Sequence, residues 1–265
     1  MPIDASLPLF AYDHRAFVGE AVSAALAQSF DPLEVIVTGD ASIDGTADEI
    51  ERVLAAYRGP KRVRFIRNER KLGLARSLNA AMRAAGGAII VGAAGDDIST
   101  PDRVRRVVEA FEADPGVRYV WSNARIVDAA GAVRGEWYDR PVPAYDLDSF
   151  RDPRTAMLGA TTAFRRDAFD VSGDLVIEDR VIPMRSAVLG RLRHLPDHLV
   201  LYPRHGANAS HKGKRGVADY AAWMEFRRRS AAMDVMALRC RVRDLDVAPE
   251  RGVGDPARPR ERAPA

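Results

Sequence analysis

The sequence predicts an α/β protein built on a doubly wound, mostly parallel sheet flanked by helices. Three observations predict this fold class. Patterns typical of strands and of helices alternate from residue 7 to residue 111. The strand patterns are short, continuous apolar runs, as expected for strands that are covered on both faces. Acidic residues follow two of these runs, at the edge where open sheets of this kind bind ligands.

Four strands and four helices are predicted in the first half of the chain. Apolar runs predict strands at 7–12, 33–38, 63–66 and 88–91. Apolar residues at helical spacing predict the helices that follow them, at 17–29, 46–57, 74–85 and 104–111. Thr46 with Glu49 forms a capping-box pattern, and Thr100-Pro101 is typical of a helix start. Arginines alternate through the third run, which favours a place near the sheet edge.

The carboxyl ends of these strands are expected to meet, because right-handed crossovers place the loops after parallel strands at one edge. The residues expected to converge there are Tyr12, Asp13, Asp40, Asp96 and Asp97. Adjacent carboxylates suit a hard divalent cation, Mg²⁺ or Mn²⁺, that holds a diphosphate. A polar loop with a helix-capping aspartate is the alternative interpretation, and the Asp-Asp pair alone does not separate the two.

The second half follows a different pattern. A strand is predicted at 117–122, and a hairpin around Asp128-Ala-Ala-Gly131. The aperiodic stretch at 136–153 is interpreted as a loop over the site. A second acidic pair, Glu178-Asp179, stands at a predicted helix start, and 199–202 is predicted to be a short strand.

These patterns predict one domain with a C-terminal extension. The domain is expected to span 1–215, with a nucleotide-binding half at about 1–122 and an acceptor half, containing the small hairpin, at about 123–215. A basic amphipathic helix is expected at 216–246 and a disordered tail at 247–265. The helix is the candidate surface for peripheral membrane association or for a homo-oligomer.

Composition narrows the class of protein. The 40 basic residues are nearly balanced by 37 acidic ones, and the net charge of +3 does not call for a nucleic-acid partner. The single cysteine, Cys240, excludes an internal disulfide framework and a cysteine-rich zinc site. Without a signal peptide pattern or an apolar run of about 20 residues, we expect a cytoplasmic protein, with the inner face of the membrane as the alternative location.

The order of the motifs resembles glycosyltransferase family 2, on the GT-A fold of nucleotide-diphospho-sugar transferases, from about residue 7 to residue 210. The first two segments that carry the resemblance are Phe10-Ala-Tyr-Asp13 and Val35-Ile-Val-Thr-Gly-Asp-Ala-Ser-Ile-Asp-Gly-Thr46. The others are Arg67-Asn68 with Leu72-Gly-Leu-Ala75 and Asn79, then Gly95-Asp-Asp97, Glu178-Asp179 and Tyr202-Pro-Arg-His-Gly-Ala-Asn208. Each segment is weak alone, but six in this order are specific.

The resemblance implies a role for each of eight residues. Tyr12, by stacking, and Asp13 would flank the nucleobase, and Asp40 would accept its N3–H, which favours uracil or thymine. Asp96 would hold the ribose and Arg76 the diphosphate. Asp97 would bind the metal, Mn²⁺ or Mg²⁺, and His205 the metal or the phosphates. Asp179 would be the general base that deprotonates the acceptor.

Other interpretations of these residues remain open. Tyr12 is equally suited to packing, His205 to a backbone hydrogen bond, and Asp179 to a helix cap. The sequence also departs from the family pattern, since Gly39 replaces the first aspartate of an Asp-Asp loop and Asp13 replaces an asparagine.

The resemblance implies an inverting, metal-dependent transfer of a sugar from a UDP or dTDP donor to a hydroxyl of a glycan or lipid-linked glycan, in the synthesis of a bacterial surface polysaccharide. Gln-x-x-Arg-Trp and membrane spans are not found in the sequence, which argues against a processive synthase. The rival hypotheses are a nucleotidyltransferase on the related fold and a non-catalytic nucleotide-sugar scaffold. The first would need a Gly-rich basic loop after the first strand, which Phe10-Ala-Tyr-Asp-His-Arg15 is not.

Overall fold

The computed structural model of the chain describes residues 4–128, 130–138, 157–170, 183, 186 and 191–205. The strands are β1 (Ala5–Ala11), β2 (Leu33–Gly39), β3 (Arg62–Arg67), β4 (Ile89–Val91), β5 (Ala93–Ala94), β6 (Ile98–Ser99), β7 (Tyr119–Val127), β8 (Val133–Glu136), β9 (Thr162–Arg165) and β10 (Leu192–Pro203). The helices are α1 (Arg15–Leu26), α2 (Thr46–Ala56), α3 (Leu74–Ala84), α4 (Arg103–Ala113) and α5 (Arg166–Asp170), with a 3₁₀ turn at Gly159–Thr161.

Within the described residues, these strands form one mixed sheet in the order β3-β2-β1-β4-β9-β7-β10-β6, with β5 beside β1 and β8 beside β7. The strands β3, β2, β1 and β4 are all parallel, which confirms the predicted alternation of strands and helices. Every residue of β2 is buried, whereas β3 alternates at the edge of the sheet, as its arginines predicted. The carboxyl ends of β1 and β2 therefore lie side by side.

The second half of the sheet was predicted only in part. The hairpin formed by β7 and β8 is confirmed. The prediction of a short strand at 199–202 is wrong in extent, because β10 runs for 12 residues and pairs with β7 along most of its length. Charged residues, histidines and a proline at its start hide the strand pattern, and pairing with buried β7 holds these residues extended. Strand β9, antiparallel to β4 and β7, was not predicted at all.

Two helix starts also differ from the predictions. Gly45, in the left-handed region at φ 90°, caps α2, and Thr46 is its first residue, so no capping box forms. The Thr46 hydroxyl instead bonds Asp44 and accepts the backbone N–H of His14, because tertiary contacts compete for the same oxygen. Helix α4 begins at Arg103, after Asp102, rather than at Thr100-Pro101. The Asp102 carboxylate accepts a hydrogen bond from the Thr100 hydroxyl.

Helices pack on both faces of the sheet, as a doubly wound fold requires. One apolar layer joins the sheet to α1, α2 and α4, through residues such as Val22, Ile50 and Phe111. On the opposite face α3 packs through Leu78 and Met82 against a layer that includes aromatic residues of β7 and β9. No helix among the described residues is long and apolar enough to cross a membrane. Residues 139–156, the acidic pair at 178–179, and the segments 216–246 and 247–265 lie outside the described residues, so the expectations for them stay predictions.

The turn into β4 generates a stability prediction. A Cβ on Gly87 would lie 2.5 Å from the carbonyl carbon of Ala5, whereas a Cβ on Gly86 would meet only Glu34 Oε2, at 3.8 Å. We expect Gly87→Ala to lower the free energy of unfolding by about 1–3 kcal/mol, because main-chain atoms must move. The matched Gly86→Ala variant should be neutral or up to about 1 kcal/mol more stable. Urea unfolding measures both, and equal values would contradict the tight packing at Gly87.

Candidate active site

A cavity of about 330 Å³ lies at the carboxyl ends of β1 and β2, between α3 and the β4–β5 segment. Its polar lining residues include Tyr12, His14, Asp40, Lys71 and Asp96. Its apolar lining residues include Phe10, Leu78, Met82, Ile90, Tyr119 and Phe164. The predicted convergence of Tyr12, Asp40 and Asp96 at one edge of the sheet is therefore confirmed, although no two of the three are neighbours in sequence.

Asp40 directly follows β2 and is hydrogen-bonded to the loop before α3. Its carboxylate accepts the backbone N–H groups of Leu72 and Gly73, both at 2.8 Å, and the side-chain amide of Asn68 at 3.0 Å. Burial by itself raises the pKa of Asp40, but these hydrogen bonds outweigh it, so the pKa lies below its usual value. Asp40 is thus a charged acceptor at the cavity wall. Gly39 beside it is tightly packed, since a Cβ there would lie 3.3 Å from the Phe65 ring.

Tyr12 carries a cation on its ring. The Lys71 ammonium lies 3.5 Å from the ring centroid, within the range of a cation–π contact, and the contact with Tyr12 raises the pKa of Lys71. Lys71 is the only lysine or arginine among the described residues that line the cavity. It is exposed, so a ligand can displace it from the ring without disturbing the core.

Asp96 also lines the cavity, across β1 from Asp40, and lies beside two imidazoles. Its Oδ2 is 3.3 Å from His205 Nε2 and 3.6 Å from His14 Nε2. The His205 ring stacks on Phe17 with centroids 4.1 Å apart, which orients the imidazole toward the carboxylate. A carboxylate and imidazoles are donor types that Mn²⁺ accepts.

Asp97 does not line the cavity. It is only 5% exposed, and its Oδ1 has no hydrogen-bond partner within the described residues. Burial raises the pKa of Asp97 well above its usual value, the charge of Asp96 adds to the rise, and the buried Arg103 opposes it. The structure therefore separates the two adjacent carboxylates, with Asp96 at the cavity and Asp97 in the protein interior.

The described residues contain no group of three or more His, Cys, Asp or Glu side chains that could hold a metal ion. The donors present fit a cation only when a ligand completes its coordination. Asp96 and His205 supply one carboxylate and one imidazole, and divalent cations in diphosphate sites commonly take their remaining ligands from phosphates and water.

The remaining sequence-based assignments are placed as follows. Asp13 has a left-handed backbone, at φ 54°, and donates its N–H to Ser42, but it does not line the cavity. Arg76 is exposed on α3 and is also absent from the lining. Asp179 lies outside the described residues. The sequence analysis did not single out His14 or Lys71 as site residues. His14 directly follows Phe10-Ala-Tyr-Asp13, and Lys71 directly precedes Leu72-Gly-Leu-Ala75. Their positions beside these motifs are the signal that could have found them.

The hydrogen bonds to Asp40 generate a pH prediction. Because its pKa is lowered on folding from about 3.9, the carboxylate contributes stability above that pH, and the contribution is lost as the pH falls through the folded-state value. Asp40→Asn cannot accept all three N–H groups, so it should cost about 1–3 kcal/mol at pH 7. Urea unfolding should show this difference shrinking at pH 3.5. The control is Glu20→Gln, at an exposed position of α1, which should change the free energy of unfolding little at either pH. If the effect of Asp40→Asn on the free energy of unfolding is the same at both pH values, the assignment is contradicted.

The comparisons with known proteins agree with this geometry. Residues 8–172 match the family described as Glycosyl transferase family 2. An uncharacterized glycosyltransferase of Haemophilus influenzae is 25% identical over 218 residues, covering 77% of this chain and 67% of that protein. The succinoglycan biosynthesis protein ExoO of Rhizobium meliloti is 34% identical over 128 residues, 48% of this chain and 35% of that protein. The chain thus spans about two thirds of the first relative and about one third of the second.

Two solved structures share the fold. TarS of S. aureus in complex with UDP-GlcNAc has a TM-score of 0.64 at 18% identity, covering 88% of this chain and 67% of that one. The mannosyltransferase PcManGT from Pyrobaculum calidifontis, in complex with GDP-Man and Mn²⁺, has a TM-score of 0.63 at 23% identity, covering 91% and 65%. Because the family match extends over more than half of its residues, this chain belongs to glycosyl transferase family 2 and is a glycosyltransferase with the GT-A fold.

Proposed function

We propose that the chain transfers a sugar from a UDP or dTDP donor to a hydroxyl of a glycan or lipid-linked glycan, with inversion and with a divalent cation. The observation that carries this proposal is that Asp40, Lys71 and Asp96 line one cavity at the carboxyl edge of the sheet. Asp40 can accept a hydrogen bond from a base, Lys71 carries a positive charge, and Asp96 is a candidate metal ligand. A site for a nucleoside diphosphate needs groups of these three kinds.

At the nucleobase end, the ionised Asp40 attracts a base N–H and repels base acceptors. The N3–H of uracil or thymine satisfies it, and the Tyr12 ring offers a stacking face once Lys71 moves aside. Guanine also offers N–H donors, and PcManGT is in complex with GDP-Man. Guanine nucleotides are therefore the necessary comparison in any test of the donor.

At the diphosphate end, we assign the cation to Asp96 and His205, which departs from the sequence-based assignment to Asp97. The cation would neutralise the charge that builds on the leaving diphosphate. Lys71 also lines the cavity, and it would add a positive charge for the diphosphate once it leaves the Tyr12 ring.

The acceptor end of the proposal rests on Asp179. A carboxylate opposite the leaving group takes the acceptor hydroxyl proton during in-line attack, which inverts the anomeric carbon. A glycan acceptor is supported by the relative named for succinoglycan biosynthesis.

The first experiment is thermal unfolding with UDP, dTDP, GDP, CMP and ATP, each with and without Mn²⁺. A ligand at about 100 times its dissociation constant adds about 2.7 kcal/mol, so the Tm should rise by about 5 °C. We expect this rise with UDP or dTDP, and we expect it to need Mn²⁺. A response to GDP alone would overturn the role of Asp40, and no response to any nucleotide would contradict the proposed donor site.

Asp96→Asn tests the cation assignment. The amide is a poor ligand for a hard cation, so the rise in Tm with nucleotide should lose its dependence on Mn²⁺ while the unliganded Tm stays close to that of the wild type. Glu109→Gln, at an exposed position of α4, is the matched control and should keep the full response. If Asp96→Asn keeps the Mn²⁺ dependence, another residue holds the cation.

Asp179→Asn tests the base. Its loss should lower the rate of sugar transfer about 10²- to 10⁴-fold, because a general base typically contributes this much. Nucleotide binding should be unchanged, since the base acts on the acceptor. The measurements are turnover of the donor that stabilises the wild type and the Tm shift with its nucleotide. Loss of both sugar transfer and nucleotide binding would indicate a structural role for Asp179.

A further inference from the structure

Thr38, on β2, carries a buried hydroxyl that has no hydrogen-bond partner within the described residues. Only 1% of the residue is exposed, and its Oγ1 neither donates nor accepts a bond there. A buried hydroxyl in this state destabilises the fold. A valine would fill the same space and keep the β-branched shape that strands favour, without that cost. The hydroxyl therefore needs an explanation that strand propensity does not give.

Thr38 lines the cavity of the candidate active site, together with two other serine or threonine residues of the described part of the chain. The hydroxyls of those two are engaged. Thr162 donates to the Gly159 carbonyl at 2.8 Å. Ser77 accepts the side-chain amide of Asn68 at 3.1 Å. Since the Thr38 hydroxyl has no such contact, a ligand in the cavity is the partner that the described residues leave for it.

The sheet places Thr38 on the same face as Asp40. Thr38 pairs with Phe10 of β1, and Asp40 continues this ladder by donating its N–H to the Ala11 carbonyl at 3.1 Å. Residues two apart in a strand face the same side, about 7 Å from each other along the strand. Two hydrogen bonds of about 2.9 Å and the edge of one base span this separation. A base bound by Asp40 therefore comes within reach of Thr38.

We propose that Thr38 is a base-reading residue, whose hydroxyl donates to the carbonyl oxygen next to the ring N–H that Asp40 accepts. An ionised carboxylate only accepts hydrogen bonds, so Asp40 can bind the N3–H of uracil or thymine but neither of the oxygens beside it. A hydroxyl supplies the missing donor. This inference rests on the proposed function for the place of the base in the cavity.

The competing explanation is that the hydroxyl is tolerated in the strand and has no role in binding. Thr38→Val separates the two explanations, because it removes the hydroxyl and keeps the shape of the side chain. Under both, the Tm without ligand should stay the same or rise by up to about 4 °C, since no hydrogen bond within the protein is lost. Only a base-reading role predicts that the affinity for nucleotide falls while the Tm does not.

The experiment measures the Kd of UDP by titration calorimetry with saturating Mn²⁺, or of dTDP if only dTDP stabilises the wild type. Thr38→Val should bind this nucleotide about 10-fold more weakly than the wild type, as expected when a buried carbonyl loses its donor. Thr38→Ser keeps a hydroxyl, so its Kd should stay within about threefold of the wild-type value.

The chain offers a matched control with the opposite signature. Ser122, on β7, is also 1% exposed, but its hydroxyl donates to the Asn123 carbonyl at 3.1 Å and the residue does not line the cavity. Ser122→Ala should lower the Tm by about 2–4 °C, because a buried hydrogen bond is lost. It should leave the Kd of the nucleotide as it is.

Nucleotides with sulfur in place of one carbonyl oxygen test the same contact from the side of the ligand, because sulfur is the weaker acceptor. The probes are the 2-thio and 4-thio analogues of the nucleotide that binds. One of the two should lose at least about threefold more affinity for the wild type than for Thr38→Val, which is the coupling expected of groups in contact.

Equal affinity of the wild type and Thr38→Val for the nucleotide, or equal losses with both analogues in the two proteins, would overturn the role of Thr38 and leave the proposed donor in place. Binding of GDP alone would overturn the proposed donor, and the same coupling measured with 6-thio-GDP would still decide the role of Thr38. Absence of binding of any nucleotide would overturn both.

Discussion

The site depends on β1 lying between β2 and β4 in a parallel sheet. Two carbonyls at the carboxyl end of β1 accept hydrogen bonds from the two acidic loops. Ala11 accepts the N–H of Asp40 at 3.1 Å, and Phe10 accepts the N–H of Gly95 at 2.7 Å. These main-chain bonds set the separation of Asp40 and Asp96 across β1, so the spacing of the two ends of the cavity does not depend on side-chain conformation.

Three carboxylates at this edge have different environments. Asp40 receives three N–H donors, and its pKa lies below its usual value. Asp97 is buried, and burial raises its pKa while the charge of Arg103 opposes the rise. Asp96 lies beside His205 and lines the cavity. Identical side chains thus differ in charge and in access to a ligand, because neighbouring donors and charges decide whether a carboxylate is available.

The accuracy of the sequence-based predictions follows the range of the interactions involved. The four strands and four helices predicted in the first half are present, because apolar periodicity is local and a buried parallel strand needs a continuous apolar run, whereas the two-residue strands β5 and β6 were not predicted. Strand β9 was missed and β10 was shortened, because residues such as Arg193 and His194 are held in the sheet by pairing with β7 rather than by their own propensity. The capping box at Thr46 failed for a related reason, since the hydroxyl bonds Asp44 and His14 instead.

By itself, the sequence determined the alternation of strands and helices in the first half, the resemblance to the family, and the convergence of Tyr12, Asp40 and Asp96 at the carboxyl edge, since these follow from local patterns and from the handedness of crossovers. Only the tertiary structure decided which of two adjacent aspartates faces the cavity. Asp96 lies 3.3 Å from His205, which follows β10, whereas Asp97 is buried. His205 reaches Asp96 through the pairing of β10 within the sheet, a long-range contact that no pattern within Gly95-Asp-Asp97 encodes.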